Sequence, residues 1–259
     1  MDLTREAILE LKESGIAPED RLISFDNDER WLVIDNRGEA TEITPRVYHA
    51  KETLTINTLS GFVNYVKSKL DREGDKLIVH VKNEDTVYLK GLLDIDGSRE
   101  VLAKASAIVP NFHFDYFHEM EEFNIALQSK FISLLEEDGD PELKDDRALL
   151  LQVVGNVAEK NVKQASDDGV SQAITINQGV ASQANVQVPN PVLLAPYRTF
   201  LEVEQPASQF VFRMKDGPRA AIYEADGGAW RNQAIVNIRE YLHDELKEQI
   251  DAGRITLIA

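Results

Sequence analysis

The chain has no cysteine, and only 28 of its 259 residues are Lys or Arg against 45 Asp or Glu, which leaves a formal charge of -17. The first absence excludes disulfide scaffolds, thiolate zinc sites, iron–sulfur clusters and thiol nucleophiles. The shortage of bases disfavours direct binding to a DNA backbone, because Lys and Arg must supply the counterion release. No apolar run approaches the ~20 residues a membrane helix needs. The opening MDLTREAILELKESG is charged and amphipathic, unlike a signal peptide. Phosphate-cradling glycine loops of the P-loop or dinucleotide type are missing, as are the G-x-S-x-G nucleophile elbow and the aromatic–basic core of an RNA-recognition module. An apolar fraction of 43% and a charged fraction of 28% are those of an ordinary globular chain. A chain of this length can bury roughly 70–75 % of its unfolded surface without a metal or a crosslink. The expectation is a soluble cytoplasmic protein with no membrane segment and no cofactor.

What charge there is lies unevenly. Residues 111–190 carry 14 acids and 5 bases, an excess of 9 that is more than half of the total imbalance, and most of it falls between Asp115 and Arg147. From Gly169 to Tyr197, by contrast, 29 consecutive residues carry no charge. Their Gln, Asn, Ser and Val alternate as strands do, with nothing to keep a sheet edge from pairing. Such a stretch must be covered, either by its own chain or by a second copy.

Periodicity predicts an α+β fold of mixed, mostly antiparallel sheets with a central helical hairpin and a C-terminal helix. In residues 1–110, a first helix capped by Thr4 precedes strands at RLISF, RWLVIDN, KLIVHVK, TVYLKGLLDI and LAKASAIV. Leu59, Phe62, Val63, Val66 and Leu70 mark an amphipathic helix among them. Residues 111–166 read as an acidic helical hairpin, with an apolar stripe from Phe117 through Met120, Phe123, Leu127 and Phe131 to Leu134, a turn at GDPELKDD, and a second helix on Leu149–Val157. Residues 167–259 read as strands AITIN, ANVQV, PVLLA, RTFLEV, FVFRM and AAIYEA. A helix bearing Ile235, Ile238, Leu242, Leu246 and Ile250 and a terminal strand ITLIA follow.

Two constellations have metal-site chemistry. In NFHFDYFHEMEEF, His113, Asp115 and His118 could hold a divalent ion, although alternating aromatics explain the same pattern as a packed strand running into a helix. Asp94 and Asp96 in LLDIDG could open a metal-dependent nuclease site. The E-x-K triplets at Glu10–Lys12, Glu142–Lys144 and Glu245–Lys247 all fall in or beside segments that read as helical surface. Gly227-Gly228 could present N–H groups to an anion, or simply turn a strand into a helix.

The run PYRTFLEVEQPASQFVFRMKDG, followed by AAIYEADGGAW and a helix ending in RITLIA, resembles the YfdQ-like family of phage and prophage proteins, a domain of unknown function. EEFNIALQSKF, DDGVSQ and, more weakly, LTINTLSGFVNYVKS extend the resemblance upstream to about residue 50. It implies a protein made in the host cytoplasm during infection, and brings no catalytic residue with it. Within the motif, Arg198 could form a buried pair with Glu202 or Glu224. Alternatively Arg198, Arg213, Glu224, Asp226 and Trp230 could line a ligand pocket. The expected function is that of a non-enzymatic accessory protein that self-assembles and binds a host or defence component. Two alternatives stand beside it: a partner of phage recombination or replication proteins, and a divalent-metal hydrolase.

Overall fold

The computed structural model describes residues 21–25, 30–35, 39–43, 50–70, 76–94, 97–134, 145–159, 162–167, 172–178, 182–188, 190–215 and 219–259. The expected first helix with its Thr4 cap, the GDPELKDD turn up to Lys144, the triplets at Glu10–Lys12 and Glu142–Lys144, and Asp96 lie outside them. Two compact units emerge, one within Met1–Thr53 and Gly91–Leu102, the other within Leu54–Lys90 and Ala103–Ala259.

The first unit contains the antiparallel meander β1 (Arg21–Phe25), β2 (Arg30–Ile34) and β3 (Ala40–Ile43). Its register sets Trp31 between Ser24 and Ile43, and the indole is fully buried. The Asp35 side chain accepts from the Glu39 N–H at 2.8 Å and closes the second turn.

The larger unit has most of one five-stranded sheet and all of a second, each with helices against it. The first runs in the order β16-β5-β6-β7-β4, from β4 (Leu54–Ile56), β5 (Leu77–Asn83), β6 (Thr86–Leu93), β7 (Arg99–Ser106) and β16 (Ile255–Ile258). The short connection between β5 and β6 makes antiparallel neighbours, as expected. Both outer strands are parallel, however: β4 pairs with β7 and β16 with β5. Helix α1 (Leu59–Ser68) buries Leu59, Phe62, Val63 and Val66. The stripe stops one residue short of the expectation, because Lys69 turns left-handed at φ 55° and leaves Leu70 77% exposed. Thr58 caps α1 through its hydroxyl, which accepts from the Gly61 N–H at 3.1 Å. A Cβ on Gly61 would lie 2.8 Å from that hydroxyl, so only glycine permits the approach. Thr58→Ala is therefore expected to cost about 1 kcal/mol, read as a lower urea midpoint at unchanged slope.

The second sheet runs β8-β15-β14-β13-β9, from β8 (His118–Glu119), β9 (Phe131–Ile132), β13 (Val192–Pro196), β14 (Ser208–Lys215) and β15 (Arg219–Glu224). Helices α2 (Met120–Ser129) and α3 (Asp146–Glu159) pack together as the expected hairpin, and Phe123, Leu127, Leu150 and Val154 meet Phe210 and Phe212 in one core. The helical stripe predicted from Phe117 to Leu134 holds only between Met120 and Ser129. The Arg147 guanidinium donates to the Leu127 and Gln128 carbonyls at 2.9 and 3.1 Å and satisfies the end of α2. Phe131 then enters β9 against Pro196. Of the acids in this stretch, Asp145 caps α3 at the Arg147 N–H and Asp146 accepts from Leu193 N at 2.8 Å, so both serve local structure. Glu119, Glu121 and Glu122 are exposed.

The uncharged stretch forms most of a separate antiparallel sheet, β10 (Val162–Asp167), β11 (Gln172–Gln178) and β12 (Ser182–Val188). The hairpin expected to reach residue 166 thus ends with α3, and β10 is already strand. Helix α4 (Ala229–Glu245) and the short α5 (Lys247–Asp251) precede β16. Trp230, Ala234, Ile238, Leu242 and Leu246 form the buried stripe, every fourth residue, against β5, β16 and α1. Among the described residues no helix is long and apolar enough to cross a membrane.

Candidate functional site

In the larger unit, the segment after β13 carries the run PYRTFLEVEQPASQ, and a side chain rather than a ladder shapes it. Gln205 is buried, and its Oε1 accepts from the N–H groups of Arg198 and Thr199 at 2.9 and 3.2 Å while its Nε2 donates to the carbonyls of Phe200 and Val203 at 2.8 and 3.2 Å. One amide thus satisfies four backbone groups. RTFLEV, expected as a strand, is for that reason a turn. The turn is anchored outward as well: the Thr199 hydroxyl donates to the Glu84 carbonyl at 2.5 Å, and Glu202 accepts from Ser60 N and Oγ at 3.3 and 3.2 Å.

The geometry delivers Arg198 into an aromatic cage, where it is 5% exposed. Its guanidinium carbon lies 3.9 Å from the Trp230 ring centroid, 5.6 Å from that of Phe210 and 5.9 Å from that of Phe114. Nη1 donates to Glu224 Oε1 at 2.9 Å, and Nη2 donates to the Ser208 hydroxyl and to the Pro206 carbonyl. The indole Nε1 of Trp230 donates to the same Glu224 oxygen at 3.1 Å. Of the two alternatives open in the sequence, Glu224 is thus the partner, and Glu202 serves α1. Burial pulls the Arg198 pKa down to about 10, against the opposing pull of Glu224 and Asp226. The side chain stays charged at neutral pH, held by one carboxylate and three rings.

Asp226 has a different task. Its two oxygens accept from Gly228 N at 3.0 Å and Trp230 N at 3.3 Å, across Gly227 and Gly228 at φ 64° and 81°. The N–H groups that could have cradled an anion are thereby engaged by the chain's own carboxylate, and the tight strand-to-helix turn is what the glycines provide.

Arg198, Glu224 and Trp230 border a cleft of about 460 Å³, which Glu84, Asp85, Phe112, Lys130 and Arg231 also line. Arg231 pairs with Glu84 at 3.2 Å, and the Lys130 ammonium donates to the Asn111 carbonyl. Three acids balance three bases here, within a partly aromatic wall. Asp226 and Arg213 are not part of the lining. Arg213 lies on β14 opposite Ala221 and donates to the Phe212 carbonyl at 2.9 Å. No sequence signal marked Glu84, Asp85 or Lys130, since they come from the β5–β6 turn and the end of α2. The arrangement suits recognition of a ligand with charges of both signs. Its one buried cation, Arg198, is committed on both terminal nitrogens, while its Nε has no hydrogen-bond partner among the described residues.

The metal set proposed on His113, Asp115 and His118 does not assemble. His118 Nε2 donates to the His113 carbonyl at 2.8 Å, its Nδ1 lies 3.5 Å from Glu122, and its ring stacks on Phe112 at 4.9 Å. Asp115 turns left-handed at φ 60° in an exposed loop. Among the described residues no three His, Asp or Glu side chains gather as a ligand set. The aromatic packing that competed with the metal reading accounts for the segment. Asp94 closes a turn by accepting from Ser98 N at 2.7 Å. Comparisons with protein-family models, curated proteins and solved structures find no match for this chain.

Proposed function

We propose that this chain is a non-enzymatic phage or prophage accessory protein that self-assembles through its uncharged β segment and acts in the host cytoplasm by binding a host or defence component. One observation carries the reading. The uncharged residues supply two of the three strands of a separate sheet, in which β12, SQANVQV, is an outer strand and has no further ladder partner among the described residues. An edge of seven residues with neither Lys, Pro nor acid is a template for another chain. The resemblance of the PYRTFLEVEQPASQFVFRMKDG run to YfdQ-like proteins supplies the phage context, and the charge-balanced cleft beside Arg198 supplies a recess for a partner's groups.

The test places charge on the edge. Gln183, Asn185 and Gln187 occupy alternate positions of β12, opposite Asn177, Thr175 and Ala173. Changing all three to Lys is expected to reduce the assembly seen by light scattering at micromolar concentration, with the circular dichroism unchanged. A strictly monomeric wild-type protein under those conditions would overturn the proposal.

A further inference from the structure

Strand β16 is the last strand on its side of the five-stranded sheet, and its outer edge has no ladder partner among the described residues. Ile255 stands opposite Leu77 and Leu257 opposite Val79, while the Leu77 N–H donates to the Arg254 carbonyl at 2.8 Å. Bonded groups alternate along a parallel ladder, so this register turns the N–H and C=O groups of Ile255 and Leu257 away from β5. The strand ITLI has no Lys, Pro or bulge to blunt that edge.

Beside the edge runs a groove of about 800 Å³, walled by Arg239, Glu240, His243 and Asp244 of α4 and by Ile255 and Leu257 of β16. The helical wall has a particular order, Arg-Glu-Tyr-Leu-His-Asp, basic then acidic at each end. Laid antiparallel against itself, this stretch sets Arg239 opposite Asp244 of the partner subunit and Glu240 opposite the partner's His243, so every basic group meets an acid. An antiparallel pairing of β16 with its own counterpart about Thr256 likewise sets Ile255 opposite the partner's Leu257, and both have free N–H and C=O groups. Thr256 at the centre of the strand and the four charged or basic residues that flank the centre of the helical stretch border the same groove, so one two-fold axis serves both.

We infer that β16 and residues 239–244 of α4 form a two-fold interface with a second copy of this chain, joining two five-stranded sheets into one. The inference deepens the self-assembly proposed above and assigns it a second, independent surface. Self-complementary charge and an open edge together specify the partner, because a different protein would have to reproduce the same order in reverse.

With both surfaces in use, the wild-type protein is expected to exceed a dimer in light scattering. The triple-Lys β12 variant should then have twice the chain mass of 29.1 kDa. Adding Asp244→Arg to that variant sets an arginine against the partner's Arg239 and should lower dimer affinity by at least about tenfold, as like charges replace opposite ones. Adding Arg239→Asp as well should restore the dimer, a recovery that a merely unfolded variant would not show. Asp244 is 84% exposed at its side chain, so the change leaves the core untouched. The interface is overturned if the β12 variant alone is monomeric, in which case assembly by the uncharged β segment still stands. It is also overturned if Asp244→Arg leaves the dimer intact or if the double exchange fails to restore it.

Discussion

Replacing Arg198 by alanine is expected to lower the unfolding free energy by about 3–5 kcal/mol, the cost of breaking a buried ion pair from one side. The deletion leaves Glu224 with only the Trp230 indole as donor among the described residues, removes the donors to Ser208 and Pro206, and empties the space between Trp230, Phe210 and Phe114. Arg198→Lys should recover only part of the loss. A single ammonium cannot reach Glu224, Ser208 and the Pro206 carbonyl from a planar fork, nor stack as a guanidinium does at 3.9 Å. The pH dependence has a definite sign. Burial holds the native pKa near 10, below the ordinary arginine value. The unfolded chain thus binds more protons above about pH 10, and the contribution of Arg198 becomes more favourable as pH rises through that region. Below it both states are fully protonated, so the effect of Arg198→Ala should be constant from pH 6 to 9. Urea unfolding curves across that range would check it, and a loss under about 1 kcal/mol would show that the cage is not a structural centre.

Phe212→Ala is the second large effect. Phe212 is fully buried between the β13–β15 sheet and the α2–α3 pair, its ring centroid 6.0 Å from that of Phe123. Truncation removes most of a large apolar side chain and leaves a cavity between the sheet and the helix pair, at a cost of about 3–5 kcal/mol. Leu201→Ala in the turn after β13 is the contrast. That side chain is 70% exposed, so the change should stay within about 0.5 kcal/mol. Equal losses at the two sites in denaturant unfolding would contradict the core described above.

Local pattern accounts for much of the architecture. KLIVHVK and FVFRM alternate with period two, and they became β5 and β14 with buried residues at every second position. The apolar spacing between Leu59 and Val66 made α1, and the same period held for α4 through Leu246. These features depend on neighbours a few residues away, which is why they were legible. The failures share a cause too. Phe131 continues a helical stripe in sequence, yet it is a strand residue, because Arg147, sixteen positions later, closes α2 and β13 offers Phe131 a ladder partner. RTFLEV has the composition of a strand, but Gln205 uses up the backbone groups a strand would have offered.

The candidate site divides in the same way. Arg198, Glu224 and Trp230 were visible as chemically odd residues within one motif, because a charge among strand residues requires a partner. Which carboxylate pairs with Arg198, that Asp226 caps a helix instead, and that Glu84, Asp85 and Lys130 border the same cleft could not be read from the chain, since each depends on segments brought together by separate sheets.

By itself the sequence determined the α+β class, the absence of thiol and P-loop chemistry, and a stretch of 29 residues without charge. Tertiary structure decided that this stretch divides between a separate sheet and β13 of the second five-stranded sheet, that β16 joins a strand far earlier in the chain in parallel, and that His113, Asp115 and His118 do not converge. The reason is one of range. Periodicity and charge are properties of adjacent residues, whereas parallel ladders, buried ion pairs and clefts are chosen by which distant surfaces can be buried together with every polar group satisfied.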